Sequence, residues 1–322
     1  MDVKNDQRTL EEFTKELADR VQVIMKEEYG VSVDPLVHMV QKTNVQRMGI
    51  TVRFEDSNIS PTVYTEDMYK AHKDSQDLDQ MAKGVAHMAL EAHLNSPSMP
   101  VLTSEEAQKH ITLTLVNSKL NIEVLEKTPH MDILGGELAA IPRWIVSPEA
   151  SFVVTTELAG QMMLTPDEVL RIGQNNINRP HFEAKSMSQI LSDFMGGEAP
   201  LVSVGPEMIV LTSDTGVQGA SALLSEEALN RVHKMIGDYV ILPSSVLEVI
   251  CVPVSEDMHP DDLRAMVREV NETILEPEQK LSDGIMLYDG QKLMMVRDSL
   301  QMERSKDDSV KIDLESSRGL KM

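Results

Sequence analysis

Two apolar, β-prone runs separated by a Pro-Ser-Ser corner constrain this chain more than any other feature. Residues 238–254 read Asp-Tyr-Val-Ile-Leu-Pro-Ser-Ser-Val-Leu-Glu-Val-Ile-Cys-Val-Pro-Val. Pro243 has no N–H to give a sheet ladder, and Ser244 and Ser245 are turn formers, so the chain must reverse here between two strands. A carboxylate, Glu248, falls inside the second run. Such a group must reach solvent or a partner, because unpaired burial of a charge is strongly unfavourable. Ser244, Ser245 and Glu248 are therefore candidate catalytic residues, with His130, His233 and His259 as candidate bases. A serine nucleophile also needs a base and oxyanion donors, and the spacing selects none. The structural expectation for the corner is that its serines satisfy backbone groups.

Hairpin and helix signals elsewhere do not alternate as strand-helix-strand. Thr9 with Glu12 forms a capping-box pattern ahead of Leu10, Phe13, Leu17, Val21 and Ile24, predicting an amphipathic helix that stops near Gly30. Alternation over Val31–Met39 and Ile50–Phe54 predicts a hairpin, turned near Asn44, with Pro35 marking an edge strand. Glu66 to His93 reads as one helical stretch, with Leu78, Met81, Val85 and Met88 on one face. Residues 95–100, Asn-Ser-Pro-Ser-Met-Pro, read as a linker.

Beyond the linker, Ile111–Val116 reads as a strand. Leu138–Val146 and Phe152–Val154 read as a hairpin, and Thr165-Pro166-Asp167-Glu168 opens a helix running to about Asn175. Shorter helices are expected at Met187–Phe194 and from Ser225 to Ile236, with another beginning at His259–Asp262. Asp289-Gly290 marks the strongest hairpin signal. Asn58, Asn117, Asn121, Asn175, Asn176 and Asn271 sit at polar junctions, where an amide locks loops through its donors and acceptor. This mixture predicts an α+β fold of antiparallel hairpins with packed helices. The expected parts are residues 1–95, residues 101–296, and a mobile, charge-balanced tail over 297–322.

Composition narrows the function classes. A formal charge of −22 argues against direct nucleic-acid binding, which needs a basic face. An acidic mimic of nucleic acid is a weaker reading. The sole cysteine, Cys251, lies in an apolar run and excludes an internal disulfide or a Cys metal cage. No signal-like or membrane-length apolar run is present, so a cytoplasmic protein with no membrane association is expected. With 22 Met against five Phe, five Tyr and one Trp, Met is expected to fill core volume. No phosphate-binding or dinucleotide glycine motif occurs. His87 and Glu91 share a helix face but are too few ligands for a metal, so neither cofactor nor metal is expected.

Taken together, Asp56–Thr62, Pro129-His130, Val210-Leu211-Thr212, Tyr239–Val249 and Leu281-Ser282-Asp283 resemble a bacterial family known as domain of unknown function 5688. The resemblance spans roughly residues 10–296. It implies an intracellular protein of Firmicutes type, a continuous module and no established reaction. In that family the residue before the corner glutamate is often His, whereas Leu247 stands here. The expected function is a non-catalytic interaction or regulatory module, working through a protein partner. The alternative is a hydrolase or transferase centred on Pro243-Ser244-Ser245 and Glu248.

Overall fold

The computed structural model describes residues 8–57, 59–73, 77–96, 100–147, 150–179, 181–196 and 207–296. The expected mobile tail, Asn58 and part of the 95–100 linker lie outside these residues. The fold is α+β, and the chain divides into two compact units, residues 1–101 and 102–322.

The first unit opens with α1 (Leu10–Glu27), fixed by the expected capping box. The Thr9 N–H donates to Glu12 Oε2 at 2.7 Å, and the Glu12 N–H donates to Thr9 Oγ1 at 3.2 Å. Strands β1 (Val33–Gln41), β2 (Gln46–Phe54) and β3 (Thr62–Tyr64) form an antiparallel sheet in the order β1-β2-β3. Pro35 thus lies on an edge strand, and Asn44 adopts a positive φ of 66° in the turn. The single helix expected over 66–93 is two helices, α2 (Glu66–Lys73) and α3 (Leu78–Leu94). Asp77 starts the second by accepting the Asp79 N–H. Phe13, Leu17, Val21 and Met25 of α1 recur every four residues and are fully buried. They meet Ala82, Val85, Ala86 and Ala89 of α3 and Ile50, Val52 and Phe54 of β2. The small alanines let two helices share one face of a narrow sheet.

In the second unit the chain runs α4 (Ser104–His110), β4 (Ile111–Asn117), α5 (Ile122–Leu125), β5 (Met131–Ile133), β6 (Leu138–Ile145) and β7 (Ser151–Val153). There follow α6 (Thr156–Gln161), α7 (Pro166–Asn175), β8 (Phe182–Ser186), α8 (Met187–Phe194) and β9 (Ile209–Ser213). A 3-10 helix, Gly219–Leu224, leads to α9 (Glu226–Ile236), β10 (Tyr239–Leu242), β11 (Glu248–Pro253), α10 (Pro260–Thr273), β12 (Met286–Tyr288) and β13 (Leu293–Met295). One antiparallel sheet has the order β13-β12-β10-β11-β9-β8. The other has β6 at its centre, with β4 along one side and β5 and β7 along the other.

Leu113, Leu115, Leu138 and Ala140 of the second sheet share a core with Leu211, Ile241, Val249 and Cys251 of the first and with Leu229 and Val232 of α9. Junction amides act as the sequence suggests. Asn176 Nδ2 donates to the Gln108 and Ile111 carbonyls at 2.9 and 2.7 Å, and Asn117 Nδ2 to the Leu281 carbonyl at 2.9 Å. Methionine departs from expectation. Among the described residues only Met25, Met162 and Met286 are buried, so most of the others border the cores or face solvent. Alanines and β-branched residues close the interior tightly enough that flexible filler is not needed there.

Candidate functional site

The corner between β10 and β11 is stitched to residues 279–282 by backbone hydrogen bonds. The Val246 N–H donates to Gln279 O at 2.8 Å, the Leu281 N–H to Ser244 O at 2.9 Å and the Ser282 N–H to Pro243 O at 3.0 Å. Ser245 is buried, and its Oγ accepts the Leu247 N–H at 3.0 Å. Ser244 is half-buried. Glu248 begins β11 opposite Thr212 and is exposed, which relieves it of the desolvation that its place in an apolar run suggested. His130 is exposed just before β5, in the other sheet, with Nδ1 3.0 Å from the Thr128 carbonyl. Among the described residues no hydrogen bond joins His130 to Ser244, Ser245 or Glu248. The structure therefore gathers Ser244, Ser245 and Glu248 along one short segment and leaves His130 beside a strand of a different sheet.

A different part of the same unit is concave. A cavity of about 400 Å³ opens between β4, β6, the start of β7 and the 3-10 helix. None of Ser244, Ser245, Glu248 and His130 lines it. Its floor follows from strand register. Thr112 on β4 and Val153 on β7 are both paired with Arg143 on the central strand β6, so directly opposed side chains rise on one side. Arg143 is thus a charged residue in the middle of a sheet. Its Nε donates to Ser151 Oγ at 2.7 Å. Among the described residues it has no carboxylate partner. Burial pushes the guanidinium below the ordinary arginine range, yet an arginine keeps its charge in a protein.

Two hydroxyls beside it also lack partners. Thr112 Oγ1 and Ser221 Oγ are inaccessible to solvent and make no hydrogen bond, and both residues line the cavity, with relative exposures of 8% and 3%. Both oxygens are sealed from the cavity as well as from water, so the group with donors open to a ligand is the Arg143 guanidinium. Gln218, also in the lining, holds a left-handed φ of 57° and accepts a hydrogen bond from Thr114 Oγ1. A non-glycine residue kept in that region marks backbone held by its surroundings. The holding contact is Gly219, packed against the Leu247 carbonyl and Thr212 Oγ1 so closely that a side chain has no room. The corner thereby supports the wall of the cavity without entering it.

Ile145, Val146 and Val217 supply an apolar lining. At the rim His110 stacks on Trp144, ring centroids 5.4 Å apart and planes 8° from parallel, and Trp144 stacks in turn on Phe152 at 5.9 Å. Among the described residues no group of three or more His, Cys, Asp or Glu is arranged to hold a metal ion. No helix among them is long and apolar enough to cross a membrane.

The model of a family of unknown function (DUF5688) matches residues 10–290, and the chain belongs to this family. No curated protein and no solved structure matches it.

Proposed function

We propose that this chain is a non-catalytic regulatory module of the bacterial cytoplasm. It receives a small molecule in the β4–β6 cavity and passes the bound state to a protein partner. The observation that carries this reading is the cation in the cavity. Arg143 gives one N–H to Ser151 Oγ, and its remaining donors meet no described acceptor beside apolar walls. Ligand pockets characteristically combine a mostly apolar lining with a few convergent polar groups, at volumes of about 300–1,000 Å³. The corner supports the reading from the other side, since Ser245 Oγ is occupied by the Leu247 N–H and Glu248 faces solvent opposite Thr212.

A thermal-shift screen of the full chain against a panel of small metabolites tests the proposal. At least one compound should raise the unfolding midpoint, since binding to the native state alone stabilises it. Mass spectrometry should then recover that compound chemically unchanged after prolonged incubation. A hit that is consumed would make the protein an enzyme, and a panel with no hits would remove the ligand-binding role.

A further inference from the structure

We infer that the cavity recognises the carboxylate of a small monocarboxylic acid with an apolar body, held by the Arg143 guanidinium. The inference rests on the ligand-binding reading above and names the ligand's class.

Sign comes first. Arg143 is a permanent cation on the central strand, without a carboxylate partner among the described residues, in a chain of net charge −22. With 52 acidic residues against 30 basic ones, a local acid was easy to supply, yet this guanidinium lacks one. A buried, unpaired charge destabilises a fold, whereas one neutralised by an oxyanion through charge-assisted hydrogen bonds does not. One of its five N–H groups goes to Ser151, and no described acceptor takes the others.

Valence comes second. Lys109 and Arg179 also border the cavity, but both are exposed. Lys109 is already paired with Glu106 at 2.6 Å, and the Arg179 guanidinium donates to the Lys109 carbonyl. Asp214, also exposed at the rim, opposes them. The interior therefore contains one fixed positive charge. A monoanion cancels it, while a phosphate dianion leaves an excess negative charge in an apolar cavity. Shape comes third. Arg's planar fork matches a planar carboxylate, and Ile145, Val146 and Val217 give the rest of the molecule apolar surface.

Trp144 supplies the readout. It is the chain's sole tryptophan, fully buried, and stacked on the His110 ring at the rim. Titrations of the full chain at neutral pH, followed by Trp144 emission and by calorimetry, would compare hexanoate, octanoate and 3-phenylpropanoate with octanol and octyl phosphate. At least one carboxylate should bind about tenfold or more tightly than octanol and octyl phosphate. Arg143→Met should weaken that carboxylate by about 30-fold or more while unfolding at or above the parent midpoint. Arg143→Lys, which keeps the charge and loses the planar fork, should weaken it by about threefold to tenfold and serves as the second variant if the Met variant does not fold.

Tighter binding of octyl phosphate would overturn the monocarboxylate class. Equal binding of octanol, or undiminished carboxylate binding by both Arg143 variants, would overturn anion recognition and leave a ligand pocket standing. Failure of every carboxylate, with hits of other chemistry in the metabolite screen, would sink the inference alone. Failure of both experiments would sink the ligand-binding reading too.

Discussion

Gly219→Ala tests the contact that ties the cavity wall to the β10–β11 corner. An added Cβ would fall inside the contact distance of the Leu247 carbonyl oxygen and Thr212 Oγ1, and 2.8 Å from Ser213 N, where ordinary contact begins near 3.4 Å. Two of these are backbone atoms, so no side chain can swing away to make room. The 3-10 helix must retreat from the corner instead. Overpacking of this kind costs about 1–3 kcal/mol. The retreat also stretches the Ala220 N–H bond to Val246 O at 3.2 Å. That bond is worth about 1 kcal/mol. Against this, alanine restricts the unfolded chain and returns about 0.4–1 kcal/mol. The net loss is about 2 kcal/mol, or roughly 4–8 °C in midpoint for a unit of this size. Urea and thermal unfolding followed by Trp144 emission report on the second unit, where that residue lies. A midpoint free energy within about 0.5 kcal/mol of the parent would mean that the glycine is not clamped, and the link between corner and cavity would fall with it.

Gly84→Ala should do the opposite. Gly84 is exposed inside α3 with nothing within 4 Å of an added Cβ, so the helix should gain about 0.5–1 kcal/mol in chemical denaturation, and a loss would contradict the open surroundings. Cys251 and Tyr239 should make the protein alkali-sensitive. Burial pushes both groups up from their ordinary values of 9.0 and 10.0, so the folded chain keeps them neutral while the unfolded chain ionises. Their contribution is complete below pH 9.0 and falls above it by up to about 1.4 kcal/mol per pH unit for each group. A urea midpoint that stays flat from pH 8 to 10.5, or prompt reaction of the native thiol with a disulfide reagent at pH 8, would contradict that burial.

Much of the fold was legible because the deciding interactions are local. The capping boxes at Thr9–Glu12 and Thr165–Glu168, the Pro35 edge strand and the Asp289-Gly290 turn each depend on residues within a few positions. Strands β5 and β8 escaped notice because three to five residues carry too little pattern, and their partners define them. The break between α2 and α3 hid because apolar spacing continues across it while one cap, Asp77, restarts the helix.

The cavity was not legible as a site, since its walls come from segments near 110, 143–151, 176–179 and 214–221. One signal was present all the same. The rule that drew attention to Glu248, a charge inside an apolar run, applies equally to Arg143 within Leu138–Val146. Glu248 sits at a strand's exposed start, Arg143 in the centre of a sheet, and only pairing in three dimensions separates the two cases.

The order β10-β11-β9 has a kinetic consequence. Strand β9 does not pair with β10, the next strand along the chain; β11 comes back to lie between them. Pairing of β10 with β11 closes a short loop and forms early, while pairing of β11 with β9 must close the longer excursion through the 3-10 helix and α9. Before that step, Ile209, Val210 and Leu211 on one strand and the free side of β11 present unpaired apolar edges, the kind of surface that recruits other chains. The five residues that turn β10 into β11 therefore govern how long a folding intermediate remains open to aggregation. Substitutions there should reduce the yield of soluble protein by more than their effect on the finished fold accounts for.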